Sequence, residues 1–220
     1  MLTKDMSKTD IEQALKGKGD FVQIDYLARL LKQSIPMEKK KFAYLKLAEL
    51  YEKKRMMTEA AKMCNNAALI TIPIQEKIKH HVKEAELYVK GGDFFMAEEA
   101  LRKATKEAVG KEKDNILNQV KEFYKLQGLV YEKEQRRNQA IKLYERFLQM
   151  SISDTERQEI KTRLISLYES TGRLKEYFNL TKGGSVPKAE TRDDIRARTQ
   201  SKEKERKSSD DAWGVRNLRV

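Results

Sequence analysis

Apolar residues recur three or four positions apart through most of residues 9–180, which is the pattern of amphipathic helices. The segment KKFAYLKLAELYE is typical, because its apolar residues form one broad face at helical spacing: Phe42, Leu45, Leu47, Ala48, Leu50 and Tyr51. Helical segments of this kind alternate with short breaks, two of which contain glycine. The pattern therefore predicts an all-α fold built from helix-turn-helix units.

Landmark residues recur in these units at fixed intervals. Four tyrosines are separated by 37, 43 and 37 residues: Tyr51, Tyr88, Tyr131 and Tyr168. Residues that can cap a helix N-terminus show the same three intervals: Ser34, Thr71, Asp114 and Ser151. Since two independent landmarks share one spacing, the units are predicted to be structural repeats. The six extra residues of the middle interval are expected near Gly110, as a helix extension or a longer loop.

Small residues accompany the tyrosines. Three residues before three of them lie Ala48, Ala85 and Gly128, and nine residues after the same three lie Ala60, Ala97 and Ala140. The second set predicts a close crossing of the two helices of each hairpin, and the tyrosines are predicted to fill the space between units. Gly92 and Gly172, four residues after a tyrosine, predict the left-handed backbone that ends a helix.

The composition bears on the location and partners of the protein but predicts no catalytic chemistry. Charged residues make up 36% of the 220 residues, and the formal net charge of +12 permits an acidic or nucleic-acid partner. No apolar stretch is long enough to span a membrane, and the beginning of the chain lacks the apolar core of a secretory signal. The single cysteine, Cys64, has no internal partner for a disulfide. These features predict a cytoplasmic protein.

Catalytic and metal-binding constellations are not predicted. His80 and His81 are adjacent, so on a helix their side chains diverge by about 100° and do not converge on one metal ion. Gly91 and Gly92 follow a predicted helix and not a strand, which argues against a phosphate-binding loop. We therefore expect no enzyme activity, no metal and no cofactor.

The landmark residues resemble the tetratricopeptide repeat (TPR). The closest set is a small residue, a tyrosine three later, a glycine four beyond it and an alanine five further, as in Ala85, Tyr88, Gly92 and Ala97. The intervals of 37 and 43 residues are longer than the usual TPR period of about 34. The resemblance covers residues 9–180. It implies a right-handed α-solenoid of about five helix-turn-helix units in a domain of residues 1–180.

The resemblance also implies a function and a surface. First helices of such units line a concave groove that binds a peptide or helix of another protein, so the chain is expected to be an adaptor or scaffold. By position in the repeat, the groove residues would be Lys46, Glu49, Lys83, Glu86 and Lys125. The alternative is an RNA- or ribosome-associated protein. Basic clusters such as 39–41 and 53–55 could then neutralise phosphates along one edge.

The last forty residues differ from the rest. Residues 181–220 hold 11 Lys or Arg and 7 Asp or Glu, and few apolar residues occur before the end, which predicts a flexible basic tail. The tail ends in DDAWGVRNLRV, which resembles a short docking motif on a polar tether. Its candidate partner-binding residues are Trp213, Arg216, Leu218 and Arg219. The alternative is that this end packs back on the helices.

Overall fold

The described part of the chain is entirely helical in regular structure. A computed structural model describes residues 2–186, which contain ten helices and no strand. In chain order these are α1 (Lys8–Leu15), α2 (Asp20–Leu31), α3 (Met37–Lys53), α4 (Met57–Ile70), α5 (Ile74–Gly91), α6 (Phe94–Glu107), α7 (Lys111–Lys133), α8 (Arg137–Phe147), α9 (Asp154–Ser170) and α10 (Leu174–Thr181). The predicted all-α class is confirmed for these residues.

The chain divides into two compact units, Met1–Phe147 and Leu148–Val220. In the first unit each of α2 to α5 packs against the next helix, and α7 packs against both α8 and α5. In the second unit α9 and α10 pack on each other. Consecutive helices therefore form the predicted neighbouring pairs.

The hairpin turns repeat one backbone design. The residue four positions after each landmark tyrosine has a positive φ angle: Arg55, Gly92, Gln135 and Gly172. The next residue then donates its N–H to the tyrosine carbonyl, over 2.8 to 3.0 Å, as Arg136 does to Tyr131 and Asp93 to Tyr88. This hydrogen bond is the one that closes a Schellman-type helix end. The predicted left-handed turn is confirmed, and two of the four turns form it without glycine.

The landmark tyrosines lie inside, with one exception. Tyr88, Tyr131 and Tyr168 are buried, whereas Tyr51 is only half-buried. Tyr131 lies between helix pairs, because its hydroxyl on α7 donates to the carbonyl of Val89 at the end of α5, over 2.8 Å. A helix end leaves such carbonyls without a partner inside the helix. The tyrosine therefore fills space and also adds a second hydrogen bond to a carbonyl that accepts from the N–H of Gly92.

The predicted N-caps are wrong for all four first helices, and Ser151 lies two residues before Ser153, the N-cap of α9. Helices α3 and α5 begin after Pro36 and Pro73, so Ser34 and Thr71 lie two residues too early. The hydroxyl of Thr71 instead donates to a carbonyl in the last turn of α4. Asp114 lies within the first turn of α7, which follows Gly110. Proline suits this place, because its fixed φ angle leads into a helix and it has no N–H left without a partner.

The longer interval between repeats has a simple cause. Helix α7 has 23 residues, whereas α3 has 17 and α5 has 18, so the extra residues extend a helix and not a loop. The helix extension expected near Gly110 is confirmed. In the second unit the box of Ser153 and Glu156 caps α9, with each side chain bound to the other residue's N–H.

Two further expectations concern the membrane and the tail. Within residues 2–186 no helix is both long and apolar enough to cross a bilayer. The candidate docking residues Trp213, Arg216, Leu218 and Arg219 lie outside the described residues, as does most of the predicted tail.

Candidate binding surface

The first helices of the hairpins lie side by side in the first unit. Their beginnings are joined in sequence, because Lys41 of α3 pairs with Glu76 of α5 at 3.1 Å. Gln75 of α5 then donates to Glu112 of α7 at 3.2 Å. Helices α3, α5 and α7 therefore present one continuous surface, which is the surface that a groove-binding partner would use.

Two clefts lie on this surface. The α5–α7 cleft, of about 340 Å³, has an apolar floor that includes Ile78, Val82, Ile116 and Phe123. The turn cleft, of about 680 Å³, lies where the first three landmark turns meet, and its lining includes Met56, Gly91, Val130 and Arg136. The α5–α7 cleft thus combines an apolar floor with a polar rim, as ligand-binding sites commonly do. The lining of the turn cleft is mainly charged or polar.

An exposed apolar stripe on α7 links the two clefts. Phe123 lines the α5–α7 cleft and Val130 lines the turn cleft. Leu126 lies between them at helical spacing on the same stripe. Leu126 is 61% exposed and Val130 42% exposed, although the neighbouring face of α7 already supplies the buried residues Val120, Tyr124 and Tyr131. The stripe is therefore apolar surface in addition to the core.

Ion pairs neutralise the polar rim between α3 and α5. Glu52 of α3 accepts from Lys83 at 3.0 Å and from Lys90 at 2.7 Å, both on α5. Glu86 is also 2.6 Å from Lys90. Partial burial acts to raise the pKa of Glu52, but the hydrogen bonds from Lys90 and Lys83 outweigh it and leave the pKa below its ordinary value. The carboxylate therefore stays charged and holds both lysines.

The predicted groove residues fall into separate places. Lys83 and Glu86 line the α5–α7 cleft and contact each other at 3.3 Å. Lys46 contacts Glu49 at 3.1 Å and lines a different depression, beside α1. Lys125 lies 3.2 Å from Glu122 on its own helix and lines neither the α5–α7 cleft nor the turn cleft. The structure thus brings one of the predicted sets into a cleft of the shared surface.

A buried polar cluster behind this surface escapes sequence reasoning. Glu84 of α5 binds the Nδ1 atom of His81 at 2.8 Å with one oxygen and Lys103 of α6 at 3.0 Å with the other. Lys103 also donates to Asn65 of α4 at 2.8 Å. The cluster joins three helices through side chains that satisfy each other. Glu84 and Lys103 are 19 residues apart, so a reading of single helices gives no sign of the pair.

Burial shifts the pKa values of two titratable groups nearby. Burial is the main cause that raises the pKa of the Cys64 thiol to about 12, so the thiol stays protonated at neutral pH. Burial also lowers the pKa of His80. Among residues 2–186, no three His, Cys, Asp or Glu side chains come together in a way that could hold a metal ion.

Most of the basic clusters carry their own counter-charges. Lys53 and Lys54 both bind Asp20 at 2.8 Å, and this carboxylate is largely covered. Arg102 pairs with Glu99 at 2.7 Å and Lys77 with Glu107 at the same distance.

Searches against protein-family models, curated proteins and solved structures found no match to the chain. The surface itself is therefore the basis for a functional proposal.

Proposed function

We propose that this protein is a non-catalytic, TPR-like adaptor that binds a peptide or helix of another protein along α3, α5 and α7. In this proposal the helix pairs are units of a right-handed α-solenoid and the protein acts in the cytoplasm. The support for the TPR-like character is the repeated hairpin design, in which each tyrosine carbonyl closes a left-handed turn.

One observation carries the binding role. The stripe of Phe123, Leu126 and Val130 is apolar and lies beside two clefts, and its Leu126 and Val130 are open to solvent although α7 already has a complete buried face. Exposed apolar patches with a polar rim mark interaction sites in soluble proteins. Residues at positions i, i+3 and i+7 match the spacing with which a partner helix presents its own apolar face.

The electrostatics of the same surface favour a protein over RNA. Lys83 and Lys90 are each held by two carboxylates, so a phosphate would have to displace an existing partner from either lysine. A protein partner with a mainly apolar contact face needs no such exchange. The tail, with Trp213 and Leu218, would supply a second contact to the same assembly; that role is a prediction from sequence.

The experiment is affinity capture with the full chain and a matched pair of variants. Val130→Asp places a charge on the stripe, whereas Val22→Asp places the same charge on α2 at a valine that is 44% exposed instead of 42%. We expect Val130→Asp to lose the captured proteins and Val22→Asp to retain them, identified by mass spectrometry with and without nuclease. Equal capture by the two variants, or loss of all partners after nuclease treatment, would overturn the proposal.

A further inference from the structure

The loops that connect successive helix pairs form one edge of the first unit. This loop edge consists of residues 32–41, 69–77 and 106–114. Its parts lie together, because Lys41 contacts Glu76 at 3.1 Å and Lys77 contacts Glu107 at 2.7 Å. The loop edge is at the opposite end of the helices from the hairpin turns, so it is distinct from the turn cleft.

Two aliphatic side chains at the tips of the second and third loops of this edge are almost fully exposed to solvent. Ile72 is 92% exposed and Val109 is 84% exposed, and they occupy equivalent loop positions 37 residues apart. Three more exposed aliphatic residues surround them: Met37, Leu69 and Ile74. Single exposed aliphatic residues are ordinary, but five along one edge form an interaction surface.

The first loop shows that this exposure is not a consequence of loop position. Ile35 occupies the place equivalent to Ile72, yet it is only 7% exposed. It belongs to a buried cluster with Leu2, and Gln33 donates to the backbone carbonyl of Leu2 at 3.2 Å. The N-terminal segment thus covers the first loop. The next two loops have the same kind of residue and no cover within the described part of the chain.

The loop edge as a whole carries more lysines than carboxylates, eight against five. Exposed lysines flank Val109 or lie in the first loop: Lys32, Lys106, Lys111 and Lys113. Within residues 2–186 none of the four takes part in an ion pair, in contrast to Lys83 and Lys90 of the clefts. Four of the five acidic residues of this edge have a partner, because Glu38 and Glu76 pair with Lys41, Glu107 pairs with Lys77 and Glu112 accepts from Gln75. The fifth, Asp114, is exposed.

We propose that the loop edge binds the surface of a bilayer that contains anionic phospholipids. Ile72 and Val109 enter the boundary between headgroups and acyl chains, and the neighbouring lysines contact the anionic headgroups. Apolar burial combined with electrostatic attraction is the usual basis of peripheral membrane binding. The α3–α5–α7 surface, with separate residues, stays open to a protein partner.

The composition and shape of the edge favour lipid over protein. Protein interfaces are enriched in aromatic residues and arginine and depleted in lysine. The exposed apolar residues of this edge are all aliphatic, or methionine, and its exposed cations are lysines. Side chains as exposed as Ile72 and Val109 project outward, so a protein would need matching pockets. A lipid layer accepts such projections without a preformed complementary shape.

The test is co-sedimentation of the full chain with vesicles. We expect binding to vesicles of phosphatidylserine and phosphatidylcholine, and little binding to phosphatidylcholine alone. Ile72→Ser with Val109→Ser should weaken partitioning at least roughly tenfold, from the loss of two inserted side chains. Lys106→Gln, Lys111→Gln and Lys113→Gln together should weaken it on the order of a hundredfold. Thermal unfolding checks that each variant stays folded.

A matched control separates this edge from the α7 stripe. Leu126→Ser with Val130→Ser also removes two exposed aliphatic side chains and should leave vesicle binding unchanged while it impairs capture of proteins. Absence of binding to anionic vesicles would overturn the proposal. So would equal binding by the Ile72/Val109 variant, which would assign the effect to the basic tail. Self-association that these two substitutions abolish, without vesicle binding, would show instead that the edge contacts protein.

Discussion

The α3–α4 pair and the α7–α8 pair are both helical hairpins, but the buried residues of their second helices differ in size. Helix α4 turns small residues inward, and all of them are buried: Ala60, Ala61, Cys64, Ala67 and Ala68. Helix α8 turns mostly large residues inward: Ala140, Ile141, Leu143, Tyr144 and Phe147. The two pairs are equivalent units of the repeat. The core of a hairpin can therefore be formed by close backbone approach or by large side chains.

The first helix of each hairpin compensates for the difference in side-chain size on the second helix. Tyr144 is equivalent to Cys64, and the first-helix residue opposite it is Gly128 where α3 has Ala48. A Cβ atom on Gly128 would lie 2.6 Å from Cζ of Tyr144, so the ring occupies the place of a side chain. Glycine inside a helix is unfavourable by about 0.5–1 kcal/mol relative to alanine. Burial of the whole Tyr144 ring offsets that loss.

The largest expected effect comes from Tyr131, which joins α7 to the end of α5. Tyr131→Ala should lower the free energy of unfolding by about 3–5 kcal/mol, because it removes a fully buried ring. Tyr131→Phe keeps the ring and loses the hydrogen bond to Val89, so about 1 kcal/mol is expected. Urea denaturation measures both. A loss below 1 kcal/mol for the alanine variant would show that the ring does not join the pairs.

Gly128→Ala tests the compensation directly. In most helices this change is stabilising, but here the new methyl group meets the ring of Tyr144, so we expect destabilisation by about 1–3 kcal/mol. Adding Tyr144→Leu should make Gly128→Ala less harmful or favourable, since the α5–α6 pair has Ala85 and Leu101 at the equivalent positions. A double-mutant cycle gives the coupling. Additive effects would mean that the two residues do not compensate each other.

The smallest expected effect concerns Cys64 in the α3–α4 pair, whose buried residues on α4 are mostly alanine. The raised pKa of Cys64 leaves about one thiol in ten thousand ionised at pH 8, so reaction with a thiol reagent should be very slow in the folded protein. Its unfolded thiol ionises first as pH rises above 9, so the contribution of Cys64 to stability falls there. Labelling in the Gly128→Ala background shows whether the two pairs open together. Fast labelling of the unaltered chain would contradict close packing of α3 and α4.

Much of the fold follows from local pattern. The tyrosine register predicts the hairpin turns, because a helix end needs a left-handed residue at a fixed distance from the last buried position. The cap positions fail for a physical reason: Pro36 and Pro73 already provide helix beginnings, so the hydroxyls of Ser34 and Thr71 are not needed there. The interval that begins at Asp114 agreed with the tyrosines by coincidence.

The candidate surface is less accessible to sequence reasoning. In KLQGLVY of α7 apolar residues lie on two faces, and only the packing of α5 and α8 decides that Tyr131 is core and Val130 is surface. Lys83 was predicted as a groove residue from its position in the repeat, but its pairing with Glu52 joins residues 31 positions apart. Such contacts depend on the tertiary arrangement, which periodicity does not encode.

The shared turn geometry makes the repeat exchangeable at a defined point. Arg55 and Gly92 have the same left-handed backbone, 37 residues apart, and each is followed by an N–H that returns to a tyrosine carbonyl. If the chain between these two turns were removed, the new junction would keep the left-handed residue and the N–H bond to the tyrosine carbonyl. We therefore expect these turns to be the positions at which removal or insertion of one helix-turn-helix unit changes the local backbone least.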